Sequence, residues 1–180
     1  MTDAGPRRGP PPILLVFCAT LFSAGCGYHV AGRADLLPKH IHTIAVPTFQ
    51  NATIRYKLTD RLPAAITREF MARTRYRIVS DSGEADAVLQ GTVVNYHSYP
   101  TIFDPAAGRA SAVQLGVILT VVLRERASGA VLYERQNFEF RERYEISADP
   151  VPYFDESDAA LERLSRDVAR TVVSAVLEKF

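Results

Sequence analysis

Cysteine is scarce in this 180-residue chain, and the only two, Cys18 and Cys26, both fall within its first 26 residues. Nothing downstream is left to pair with them or to complete a thiolate metal site, so a disulfide scaffold is excluded. There is no G-x-S-x-G elbow, no phosphate-cradling glycine loop, no H-E-x-x-H and no downstream thiol nucleophile, which removes the common hydrolase and nucleotide-binding classes. The sequence reads as a non-enzyme without cofactors. No apolar run approaches the ~20 residues of a membrane-spanning helix; the longest candidate, Ile13–Phe22, is about half that. With 47% hydrophobic and 23% charged residues, the remainder falls in the ordinary globular range, and one domain is expected.

The N-terminus carries Arg7 and Arg8, a proline-rich spacer, the run Ile13–Phe22 and then the small residues Ser23-Ala24-Gly25 before Cys26. This is the layout of a secretory signal peptide. Ala24-Gly25-Cys26 resembles the lipobox of bacterial lipoproteins, with Ser23 standing where that pattern usually has Leu or Val. The expected organisation is a cleaved signal over 1–25, a lipidated anchor and tether over 26–40, and a single domain over 41–180. Several acyl chains on Cys26 would hold the protein stably at a membrane, whereas one chain binds only marginally. In the lipoprotein pattern an Asp after the cysteine is similar to an inner-membrane retention signal; Gly27 stands there instead, pointing to the outer membrane. Without residues 1–25, which carry two Arg and one Asp, the 21 basic and 20 acidic residues become 19 of each. No net field draws such a chain to nucleic acid.

Downstream, His42–Phe49 is β-rich, and Pro47 within it suggests an edge strand or a strand end. Leu58, Leu62, Ala65, Ile66 and Phe70 recur at helical spacing, with Pro63 either starting or bending that helix. Tyr76–Ser80 and Ala87–Ser98 read as strands. Pro100, Pro105 and the "AAGRAS" stretch read as a flexible excursion. The clearest period in the chain is Val113, Leu115, Val117, Leu119, Val121 and Leu123, six apolar residues in strict alternation, which specify a half-buried central strand. "RASG" turns the chain at 126–129, and Val131–Phe140 returns, running on toward Ile146 across a bulge. Asp155 can cap a final helix with the stripe Leu161, Leu164, Val168, Val172, Val176 and Phe180. One apolar sheet face and two helical stripes are buried together in an α+β two-layer sandwich, with a mixed or antiparallel sheet of about four strands against two amphipathic helices.

Three groups of polar residues invite functional readings. His29, His40, His42 and His97 fit no metal-ligand spacing, so surface or edge histidines are favoured over a metal-using periplasmic enzyme. "NAT" at 51–53 is a turn former rather than a glycosylation site. Arg55 to Arg77 is strongly basic and 155–167 leans acidic; solvated helix faces are favoured over contacts to anionic lipid phosphates. Arg109 at the tip of the excursion, and Arg124 with Arg126 at the far end of the central strand, are further candidates for such phosphates.

"CGYHVAG" at 26–32, "IHTIAVPTFQNAT" at 41–53, "ADAVLQGTV" at 86–93 and the terminal amphipathic helix together resemble the lipopolysaccharide-assembly lipoprotein family, LptE. The resemblance implies an α+β sandwich tethered to the outer membrane on its periplasmic side. Such a protein plugs the lumen of a large β-barrel partner, LptD, and assists both barrel assembly and the insertion of lipopolysaccharide into the outer leaflet. Arg109, Arg124 and Arg126 would then meet lipid phosphates or acidic partner loops. The stretch from "IAVPTFQNAT" to "RYRIVSDSGEADAVLQGTV" is also similar to part of curli-type secretion lipoproteins, which form oligomeric pores. Only one long strand hairpin is present here, and no further pair of membrane-alternating segments.

Overall fold

The computed structural model describes residues 37–53, 57–105, 108–146 and 153–180. Its architecture follows from the longest alternation in the sequence. β5 (Arg109–Glu125) pairs antiparallel with β4 (Ala87–Asp104) and β6 (Val131–Glu145). On one face of β5, Leu115, Val117, Leu119, Val121 and Leu123 are all essentially inaccessible. Burying each such side chain stabilises by ~1.5–3 kcal/mol, so the row together rivals the whole net stability of a domain, ~5–15 kcal/mol. That face must be covered.

Two helices cover it. α1 (Leu58–Arg73) buries Leu58, Leu62, Ala65, Ile66 and Phe70, and α2 (Tyr153–Leu177) buries Leu161, Leu164, Val168, Val172, Val173 and Val176. These side chains and the inner sheet face form one continuous core. The packing reaches back to Leu37, whose backbone N–H donates to Tyr76 Oη at 3.2 Å.

Among the described residues the sheet has six strands, against about four expected. Its order is β3-β1-β4-β5-β6, with β1 (Thr43–Ala45) parallel to both β3 (Arg77–Val79) and β4, and β2 (Gln50–Asn51) also parallel to β4. The first strand is therefore internal, not an edge. Pro47 lies just past its last paired residue, in the gap before β2, so the missing N–H costs no ladder bond. A second correction concerns the proline-bracketed excursion. β4 runs on to Asp104 and β5 begins at Arg109, so the hairpin stays paired through Phe103↔Ala110 and Asp104↔Arg109. Pro100 is tolerated because β1 and β2 pair with β4 only up to Val93, leaving its distal half an edge strand. The bulge at Val94 marks that boundary. The irregularities in β6 lie at Gln136–Asn137, where Asn137 takes φ 51°, and at Leu132, and not beyond Phe140. Asp155 falls inside the first turn of α2 rather than capping it.

Pro63 sits inside α1. Lacking an N–H, it cannot bond the Thr59 carbonyl one turn back. The backbone N–H of Phe49 takes that carbonyl instead, at 3.2 Å. The Phe49 ring, 2% exposed, lies directly on Gly91 of β4, where an added Cβ would meet three ring carbons at 2.2–2.4 Å. One residue thus pins helix to sheet through both its backbone and its ring. Gly91→Ala is expected to destabilise the protein by about 1–3 kcal/mol through overpacking, seen as a lower urea midpoint at unchanged slope. Phe49→Leu in that background should recover part of the loss.

Candidate functional site

The basic run on α1 and the acidic lean of α2 face one another. Lys57 Nζ and Arg61 Nη2 reach the Asp158 carboxylate at 3.0 and 3.1 Å, Arg68 reaches Glu162 at 3.4 Å, and Arg73 donates to Ser174 Oγ at 2.6 Å. The two helices consequently run parallel, start beside start. Lys57, and then Arg61, hold the Asp158 carboxyl below the usual carboxylate range. Half-exposed pairs of this kind contribute only ~0–1 kcal/mol each, so their main effect is to fix helix register. Much of the basic run is thereby engaged inside the domain.

The arginine candidates separate to the two ends of β5. Arg109 opposes Asp104 at the hairpin tip, while Arg124 opposes Val88 at the other end. Arg126 is held there: its Nε donates to the Ala85 carbonyl at 2.6 Å, and its backbone N–H donates to the Asp86 carbonyl at 2.8 Å. The histidines are scattered. His40 Nε2 meets Glu125 Oε1 at 2.5 Å, His42 begins the approach to β1, and the His97 ring lies across Gly116 on the sheet face away from the helices. Among the described residues no three His, Cys, Asp or Glu side chains come together in a metal-type cluster. Cys26 and His29 lie outside the described residues.

Two features carried no sequence signal. Asp86, ahead of β4, accepts the backbone N–H groups of His42 at 2.8 Å and Thr43 at 2.9 Å, and its own N–H donates to the Thr43 carbonyl. Those two N–H groups hold its carboxyl below the usual range. On the open sheet face, a depression of about 270 Å³ is lined by Pro47, Thr48, Gln50, Gln90, Thr92 and Thr120, among others, with no charged side chain.

The lipopolysaccharide-assembly family model, LptE, matches residues 41–176 of this chain. The chain belongs to that family. Solved structures of similar fold include the rare lipoprotein B of Shewanella oneidensis, at 10% identity over 76% of this chain and 94% of that one, TM-score 0.53. A Caulobacter crescentus lipoprotein matches at 14% identity over 75% of this chain and 88% of that one, TM-score 0.53. A Xanthomonas campestris protein matches at 17% identity over 81% of this chain and 89% of that one, also at TM-score 0.53. At such identities the likeness is one of fold. Among curated protein sequences none matches. The LptE family is a family of non-enzymatic lipoproteins.

Asp86 gives a pH test of how the sheet is tied together. Because its folded-state pKa is depressed, its contribution is complete above the unfolded value near 3.8 and is lost as pH falls through the lower folded value. Asp86→Asn should cost about 1 kcal/mol at pH 7, allowing for the solvent that reaches the carboxylate. Urea unfolding should show the gap to wild type closing below about pH 4; a gap of constant size would count against this role.

Proposed function

We propose that this protein is an outer-membrane lipoprotein, anchored through Cys26, that forms a complex with an LptD-like β-barrel. In that complex it plugs the barrel, assists its assembly and helps insert lipopolysaccharide into the outer leaflet. The observation that carries the proposal is the LptE family match across 41–176, which spans nearly the whole described domain. The shape of the domain supports it. β5 has 17 residues, so at ~3.3 Å per residue the Arg109 tip lies roughly 55 Å along the strand from the end where Leu37 and His40 pack. A domain tethered at one end and reaching that far at the other suits a lumen of comparable depth.

The reading needs binding rather than bond chemistry. Arg109 at the tip is the candidate for lipid phosphate or an acidic partner loop, since guanidinium groups pair well with both. Arg124 and Arg126 are candidates for a second contact at the tethered end. The exposed side chains Ile102 and Phe103 flank the tip on β4 and give it an apolar partner surface.

Gentle extraction of the lipoprotein from its membrane tests the complex. A much larger β-barrel should accompany it in stoichiometric amount; a homo-oligomeric ring, or a lone monomer, would contradict the proposal. Arg109→Ala should weaken lipopolysaccharide binding several-fold in a pull-down while leaving the unfolding midpoint unchanged. Unaltered binding would remove the tip from the site.

A further inference from the structure

From Ala87 to Phe103 on β4 and from Ala110 to Leu123 on β5, neither strand contains a single Asp, Glu, Lys or Arg. On the buried face this is ordinary. On the face turned away from the helices it is not, because soluble surfaces are roughly 25–35% charged, and neighbouring β6 carries Glu134, Glu139, Arg141, Arg143 and Glu145. Apolar side chains share this face, with Val94, Ile118 and Val122 along it and Ile102 and Phe103 near the tip, but they do not fill it. Successive outward positions on β4 are Gln90 and Thr92, then beyond the bulge Asn95, His97 and Tyr99, a neutral hydrogen-bonding stripe about 30 Å long at ~3.4 Å per residue.

The stripe is built at both ends. At one end lies the depression of about 270 Å³, just under the ~300 Å³ at which small-molecule sites begin. Its amide and hydroxyl groups, from Gln50, Gln90, Thr92 and Thr120, can each donate and accept. At the other end His97 and Tyr99 stack with centroids 5.7 Å apart and planes 15° from parallel. The stack depends on Gly116: an added Cβ there would sit 1.9 Å from His97 Nε2, so only glycine at this position lets the imidazole lie across the sheet.

These features select a ligand class. From Gln90 to Tyr99 a phosphate would find no cation on the stripe itself; Arg124 borders it beyond Val122, and Arg141 of β6, paired with Glu139 at 2.7 Å, borders it across Gly116. An acyl chain would bury the amides and hydroxyls unsatisfied, at ~1–3 kcal/mol each. A chain of sugar rings meets both conditions, because its hydroxyls pair with neutral donors and acceptors and its ring faces lie on aromatic rings. Resting on the proposed role in lipopolysaccharide assembly, we infer that the open face of β4 and β5 binds an uncharged oligosaccharide stretch, one ring in the depression and another on the His97–Tyr99 platform. The phosphate-bearing part of the same molecule then lies off the stripe, at or beyond its ends.

The test uses the full lipoprotein in detergent micelles. The probes are intact lipopolysaccharide and its oligosaccharide, freed of lipid by mild acid and of phosphate by phosphatase, each followed by calorimetry and by NMR. The oligosaccharide should bind. Tyr99→Ala and the near-isosteric Gln90→Glu should each weaken it about fivefold, the loss of roughly one hydrogen bond or ring contact. Arg170→Ala on α2 should have no effect. Binding of intact lipopolysaccharide without the oligosaccharide overturns the inference and leaves the assembly role standing. Binding of neither overturns both. Protection of Thr120 by a co-purified barrel, with no oligosaccharide binding, assigns the face to a protein wall and also overturns the inference.

Discussion

The one-sided apolarity of β5 is the constraint from which the rest of the molecule follows. Five consecutive inward side chains from Leu115 to Leu123 are buried, and no arrangement that leaves that row in water can offset the entropy of ordering the chain. Both helices are therefore drawn to a single side of the sheet, and the opposite side is left open. The division sorts the chemistry as well. Charges gather where the helices meet one another, in the ladder from Lys57 and Arg61 to Asp158 and from Arg68 to Glu162. Between Gln90 and Tyr99 the open face of β4 carries only uncharged residue types and His97, with Arg124 and the hairpin tip at its ends.

A layer held on one side needs fixing in register, and backbone groups do much of it. Pro63 frees the Thr59 carbonyl, and the Phe49 N–H takes it. Gly91 makes room for the Phe49 ring on the inner face, as Gly116 makes room for His97 on the outer one. The Asp86 carboxylate gathers the His42 and Thr43 amides where β1 meets β4. None of these contacts is large, yet each couples two elements distant in sequence, and such coupling selects one packing among the many that would bury the same apolar area.

Period and punctuation made part of this legible from sequence. The alternation of β5, the stripe of α1, that of α2 as far as Val176, the turn near Gly129 and the α+β layering follow from spacing alone, because side-chain direction repeats every 2 or 3.6 residues; Phe180, expected to extend the α2 stripe, lies past the helix end and is exposed. Pairing does not repeat in that way. Pro47 suggested an edge strand or a strand end, and it is the second: β1 stops at Ala45, between β3 and β4, because a proline reports on its own N–H and not on which strands flank its neighbours. The prolines at 100 and 105 and the small residues around Arg109 suggested a loose loop, although they belong to an edge hairpin whose ladder is carried by the backbone. The basic and acidic runs were visible, but their mutual pairing rests on two helices brought together across roughly a hundred residues. Gln90, Thr92 and Thr120 carry no signal until the fold sets them side by side.

Site-specific photo-crosslinking in living cells tests most directly the claim that one face packs the domain and the other meets the glycolipid. A crosslinking residue at position 120, on the open face, should yield lipopolysaccharide adducts, and one at position 166, on the outer surface of α2, should not. Adducts at 166 with none at 120 would contradict the account.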